Sequence, residues 1–206
     1  MPYVGILGGT FDPIHFGHLA AAEGAMHELG LDRVLFLPNR QPPHKAGRPV
    51  LPAEHRAAMV QLAIAGNDRF AFSDLELKRE GPSYTIHTVR AFQEQYPDWR
   101  LAFLVGMDSL VDITTWYDYK TLLTLIDLVV FTRPGYSAEQ RDAALAGLGP
   151  ELSARIRLLE LPGVAVSGTE LRRRAAAGYP LRYLVPDPVV QYISEHELYQ
   201  NGTTTP

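Results

Sequence analysis

Residues 8–18 read GGTFDPIHFGH, and their neighbours on both sides decide how the chain begins. Residues 2–7 (PYVGIL) are an apolar run, and residues 17–30 (GHLAAAEGAMHELG) are alanine-rich and closed by glycine. The order predicted is strand, glycine turn, helix, the first half of a βαβ unit. Residues 33–37 (RVLFL) supply the second strand, stopped by Pro38. Its unbroken apolar character predicts burial on both faces of a parallel sheet. Such a sheet is sandwiched by helices and binds its ligands beyond the carboxyl ends of its strands.

The rest of the chain repeats the alternation. Helices are predicted at about 53–65 and 84–95, an alternating strand at 70–77 (FAFSDLEL), and buried strands at 101–106 (LAFLVG) and 127–131 (DLVVF). Towards the C-terminus the pattern reads helix over 138–148, strand over 155–161 (RIRLLEL), a capped helix over 166–178 and a last helix after a proline pair. The expected fold is α/β: a Rossmann-like open, mostly parallel sheet of about five or six strands with helices on both faces. One domain is expected to cover residues 1–206, with a C-terminal helical part at about 166–200. Residues 38–52 (PNRQPPHKAGRPVLP) hold five prolines and alternate polar and basic side chains, which predicts a long loop. Loops of that length are often functional.

Composition narrows the class. A chain of 206 residues with 46% hydrophobic and 20% charged residues can bury a large core. No run approaches the roughly 20 apolar residues of a membrane span, and the apolar start lacks the basic flank of an export signal. A cytoplasmic protein without membrane contact is expected. With no cysteine there is neither disulfide nor thiolate metal site. The formal net charge of −4 argues against bulk affinity for nucleic acid, so an anionic ligand must be held by local groups. Nothing in the sequence specifies an oligomeric state.

The glycine turn supplies such groups. Gly8 and Gly9 let a ligand approach main-chain N–H groups, and the following helix offers free donors and the positive end of its dipole. The stretch is neither the dinucleotide fingerprint G-x-G-x-x-G nor the G-x-x-x-x-G-K-[ST] phosphate loop. His15 and His18 stand one turn apart. They can be a metal clamp, a catalytic pair or ordinary helix-start residues. A catalytic zinc site needs a third ligand, and none sits at a recognisable spacing. As a pair in a glycine-rich turn, the two imidazoles suit hydrogen bonding to phosphate oxygens and stabilising charge that grows during phosphoryl transfer. A second segment, SGTELRRR at 167–174, opens with Ser167, a good N-cap, and places Glu170 where a capping-box partner belongs. A plainly capped helix with a basic face is one reading of it.

GTFDPIHFGH resembles the T/HxGH signature of the nucleotidylyltransferase superfamily. PPHK at 42–45, PSYTIHT at 82–88, GMDS at 106–109, TWYDY at 115–119 and YLVPDPVVQYI near the C-terminus are similar to one branch of it, the bacterial nicotinate-nucleotide adenylyltransferases. The resemblance covers almost the whole chain. It implies transfer of AMP from ATP to nicotinate mononucleotide, with Mg²⁺ accompanying ATP and no protein ligand to the metal. It implies ATP contacts from Gly8, Gly9, Thr10, Phe11, His15, His18, Gly106, Asp108, Ser167, Thr169 and Arg172. It implies acceptor contacts from His44, Lys45, Thr85, Trp116 and Tyr117, with Trp116 stacking on the pyridine ring and backbone N–H groups near Thr85 and Tyr117 holding its carboxylate. His15, His18, Lys45 and Arg172 are the groups it assigns to catalysis, and Arg133 is a further candidate for the nucleotide.

Two positions depart from the branch. Gly168 stands where a serine is more usual, and His87 where an aspartate is common, so the network ordering the acceptor loop must differ here. Rival readings are a transferase for nicotinamide mononucleotide or pantetheine phosphate, one using CTP, a non-catalytic nucleotide-binding protein, and a fragment of an aminoacyl-tRNA synthetase. The last expects a lysine-rich second signature and a tRNA-binding domain, and neither is visible.

Overall fold

The computed structural model describes residues 1–40, 50–132, 138–161 and 164–200. Six strands make one sheet: β1 (Tyr3–Gly9), β2 (Arg33–Pro38), β3 (Phe70–Phe72), β4 (Arg100–Gly106), β5 (Asp127–Thr132) and β6 (Ile156–Glu160). Their order is β3-β2-β1-β4-β5-β6, and each neighbouring pair is parallel. This is the doubly wound order, whose direction of winding reverses between β1 and β4. A crevice opens there, at the carboxyl ends of the two strands.

Side chains alternate across the sheet and feed two cores. Leu7, Val34, Phe36, Leu104 and Val129 pack under α1 (Phe16–Leu29), α2 (Ala53–Ile64), α8 (Gly168–Ala176) and α9 (Asp187–Glu195). Ile6, Leu35, Leu37, Phe103 and Val130 pack under α4 (Thr85–Gln95), α5 (Met107–Val111), α6 (Tyr119–Leu125) and α7 (Ala138–Ser153). Burial on both faces accounts for the near-continuous apolar runs of the central strands.

The strand expected over 70–77 is a correction. The ladder pairs Val34–Phe36 with Phe70–Phe72 and stops, and a short helix, α3 (Leu75–Lys78), follows. Two residues further along the register stands Pro38, which has no N–H to extend the ladder. The Ser73 N–H to the Phe36 carbonyl, 3.0 Å, is the last rung of that ladder. The turn brings Glu76 inward, where it is 6% exposed.

Candidate active site

The glycine turn runs from the end of β1 over the crevice into α1. His15 is the N-cap of α1 in an extended conformation and is 3% exposed. Its N–H donates to Nδ1 of His18 at 3.3 Å, and the two rings stack with centroids 3.7 Å apart. The edge of Phe11 meets the His18 ring at 5.1 Å. An Nδ1 that accepts a hydrogen bond leaves the ring proton on Nε2, so a neutral His18 presents a donor at its far end. Space is tight around the stack: a Cβ on Gly17 would lie 2.9 Å from Nδ1 of His15 and 3.2 Å from the Val164 carbonyl oxygen.

Behind the turn lies a polar buttress. Arg56, buried in α2, donates to the carbonyls of Thr10 (2.7 Å) and Leu51 (2.9 Å). Arg172 of α8 donates to the Asp12 carbonyl at 2.7 Å, and its Nη1 lies 3.7 Å from the Asp12 carboxylate. Tyr199, near the C-terminus, donates its hydroxyl to that carboxylate at 2.7 Å. Burial first, then the negative charge of Asp12, push the Tyr199 hydroxyl far above the usual tyrosine range, so it remains a donor.

A cavity of about 460 Å³ occupies the crevice, within the range of small-molecule sites. Gly8, Gly9 and His18, from the turn and the helix on one face of the sheet, line it together with Gly106 and the last residues of β4. Thr85, Trp116 and Tyr117, from the segments that pack on the other face, line it as well. Seven of the expected site residues, from four separate stretches of sequence, therefore face one space. Trp116 is braced edge-on by Phe103 at 6.3 Å, while Tyr117 is 58% exposed at the rim and packs on Tyr84 at 5.0 Å. His87, in place of the usual aspartate, points to this aromatic rim, its ring 5.7 Å from Tyr117 and 5.8 Å from Tyr84.

The other expected residues among those described do not line the cavity. Phe11 is buried with φ +50° and supports His18. Asp108 is exposed in the first turn of α5, beyond Gly106. Ser167 is the N-cap of α8, its hydroxyl accepting from the Glu170 N–H at 3.2 Å, as the plain capping reading has it. The Glu170 carboxylate turns instead to Arg173, at 2.7 and 2.8 Å. Thr169 accepts from Nη2 of Arg172 at 3.3 Å. Gly168 has a steric reason: a Cβ there would lie 2.9 Å from the Asp12 carbonyl oxygen. His44, Lys45 and Arg133 lie outside the described residues.

The sequence reading missed Glu76, a buried carboxylate in the cavity wall beside Ser83. Thr88 donates to Glu76 at 2.6 Å and receives from Arg79 at 3.0 Å. Burial pushes the Glu76 carboxyl above the usual range, opposed by hydrogen bonds from Thr88 and Ser83 and by the charge of Arg79. Among the described residues, no three histidine, aspartate or glutamate side chains gather to hold a metal ion, and no helix is long and apolar enough to cross a membrane.

The chain is similar to known proteins over nearly its whole length. The cytidylyltransferase-like family pattern matches residues 6–174. A protein of Symbiobacterium thermophilum named "Probable nicotinate-nucleotide adenylyltransferase" is 63% identical over 202 residues, 98% of this chain and 97% of its own. One of the same name from Nocardioides sp. is 47% identical over 94% of this chain and 92% of its own. The fold is also that of the Plasmodium falciparum nicotinic acid mononucleotide adenylyltransferase solved with NaAD, with a TM-score of 0.80 at 18% identity over 97% and 98% of the two chains. The chain belongs to the cytidylyltransferase-like family, in its nicotinate-nucleotide adenylyltransferase branch.

Proposed function

We propose that the protein transfers the adenylyl group of ATP to the phosphate of nicotinate mononucleotide, giving nicotinate adenine dinucleotide and pyrophosphate, a step of NAD biosynthesis. The observation that carries this reading is one cavity lined both by the Gly8–Gly9 turn with His18 and by Thr85, Trp116 and Tyr117. It has a place for transferring phosphates and a place for an aromatic acid.

A phosphate oxygen of the mononucleotide attacks the α-phosphorus of ATP in line, forming one P–O bond as the bond to pyrophosphate breaks. The attacking oxygen is anionic at neutral pH, so no general base is needed. Catalysis is then orientation and charge stabilisation. His18 donates from Nε2 to the α-phosphate, and His15 fixes the ring that does so. Main-chain N–H groups at the start of α1 meet the triphosphate. Arg172 keeps Nη1 on Asp12 and offers Nη2, together with Ser167 and Thr169 at the head of α8. Lys45 and His44 bring positive charge over the phosphates. Gly106 and Asp108 face the ribose of ATP. Mg²⁺, held by the nucleotide rather than by a cluster of protein side chains, would supply charge neutralisation for the leaving pyrophosphate.

For the acceptor, Trp116 stacks on the pyridine ring, and N–H groups near Thr85 and Tyr117 hold its carboxylate. Those donors accept an acid and oppose the NH₂ of an amide. A panel of nicotinate mononucleotide, nicotinamide mononucleotide and pantetheine phosphate, each with ATP and with CTP, tests the reading by pyrophosphate release. Turnover is expected with ATP and the nicotinate acceptor. Tight ATP binding without pyrophosphate release from any pair would mark a nucleotide-binding protein instead.

A further inference from the structure

Glu76 is a titratable group that the proposed reaction does not use, 6% exposed in the wall of the substrate cavity. Its carboxylate holds the start of α4. Ser83, just before the helix, shares the cavity wall with it, and Thr88, in the helix, donates to it at 2.6 Å. Arg79 closes the cluster, donating to Thr88 at 3.0 Å and lying 3.9 Å from the carboxylate. Between Ser83 and Thr88 lie Tyr84 and Thr85, both in the cavity wall. The N-cap, Tyr84, makes no side-chain cap. The first N–H groups of a helix have no acceptor within it, so their direction is set by whatever holds the turn. Here that is Glu76, not a capping side chain.

We infer that Glu76 is the positioning residue for the acceptor's acid group: by gripping Thr88, three residues into α4, it aims the Thr85 turn at the pyridine carboxylate and so sets the preference for acid over amide. The inference rests on the reading of the reaction given above. His87 cannot fill this role, since its ring packs on the outer rim with Tyr84 and Tyr117.

The test compares Glu76→Ala and Thr88→Val with the conservative Glu76→Gln and Thr88→Ser, measuring KM for ATP and for both mononucleotides. Thr88→Val keeps the side-chain shape and guards against a Glu76→Ala chain that does not fold. Glu76→Ala and Thr88→Val are expected to raise KM for nicotinate mononucleotide about tenfold and to cut its preference over the amide by a similar factor, the scale of a lost hydrogen bond to a charged group. KM for ATP is expected to stay within about twofold, and the conservative variants, which keep an acceptor at 76 and a hydroxyl at 88, to retain most of the preference. Unchanged acceptor KM and preference in both disruptive variants would overturn the inference alone. An equal rise in KM for ATP would also overturn it, by showing general loosening. Should the unmodified enzyme release pyrophosphate with neither mononucleotide, the reading of the reaction falls, and this inference with it.

Discussion

His18 is held on three sides, by the His15 N–H at Nδ1, the His15 ring on its face and the Phe11 edge, so the direction of its Nε2 is set before substrate arrives. A preorganised donor aimed at developing charge contributes to the transition state more than to binding. His18→Ala should therefore lower kcat by about 10²–10³-fold, with KM for ATP changing far less. Steady-state kinetics decide this, and a near-normal kcat would remove His18 from the chemistry. Glu76 makes a separate prediction about stability. Its raised pKa means that the folded chain binds this proton more tightly than the unfolded chain. The stability it gives is full at low pH and is lost as pH rises through the raised value. Glu76→Gln cannot titrate, so the difference in unfolding free energy between variant and parent should shift in favour of Gln from about pH 4 upward. Urea melts over that range check it; parallel profiles would contradict it.

At the scale of elements, the site is the joint between a strand, a turn and two helix starts. Gly168 lets the head of α8 approach the turn, and a Cβ there would press on the Asp12 carbonyl oxygen at 2.9 Å. That oxygen is backbone and also accepts from Arg172, so it cannot yield cheaply. Gly168→Ala should cost about 1–3 kcal/mol, the usual penalty for overpacking. Chemical denaturation measures the loss, and a variant as stable as the parent would show that α8 can move aside. The glycine at 168, where a serine is more usual, thus has a packing cause. The central strands were legible as unbroken apolar runs, and the long helices by their alanine-rich composition and by the glycines and prolines near their ends. The stretch 70–77 was misread although its pattern held a warning: Phe70 and Phe72 alternate in one phase, Leu75 and Leu77 in the other, with Ser73 and Asp74 between. A phase break at turn residues ends a strand. Missing it hid Glu76, whose partner Thr88 is twelve residues away.

The whole molecule ties its two ends together at the site. Asp12 belongs to the first turn and Tyr199 to the end of the described chain, yet they share a 2.7 Å hydrogen bond beside Arg172. No local pattern announces such a pair, because it depends on where α9 and the following turns deliver the C-terminus. Tyr199→Phe leaves the buried Asp12 carboxylate short of a donor and should cost about 1–3 kcal/mol, read as a lower unfolding midpoint. An unchanged midpoint would mean that Arg172 alone satisfies Asp12. The doubly wound order, by contrast, follows from alternating strands and helices, and it places the crevice where the motifs converge. The central claim is that this crevice holds both substrates in one orientation. A crystal structure with nicotinate adenine dinucleotide tests it most directly. The two phosphates are expected beside Gly9 and His18, with the pyridine ring against Trp116 and its carboxylate at the Thr85 turn. A dinucleotide bound with the adenine against Trp116, or outside the crevice, would contradict the account.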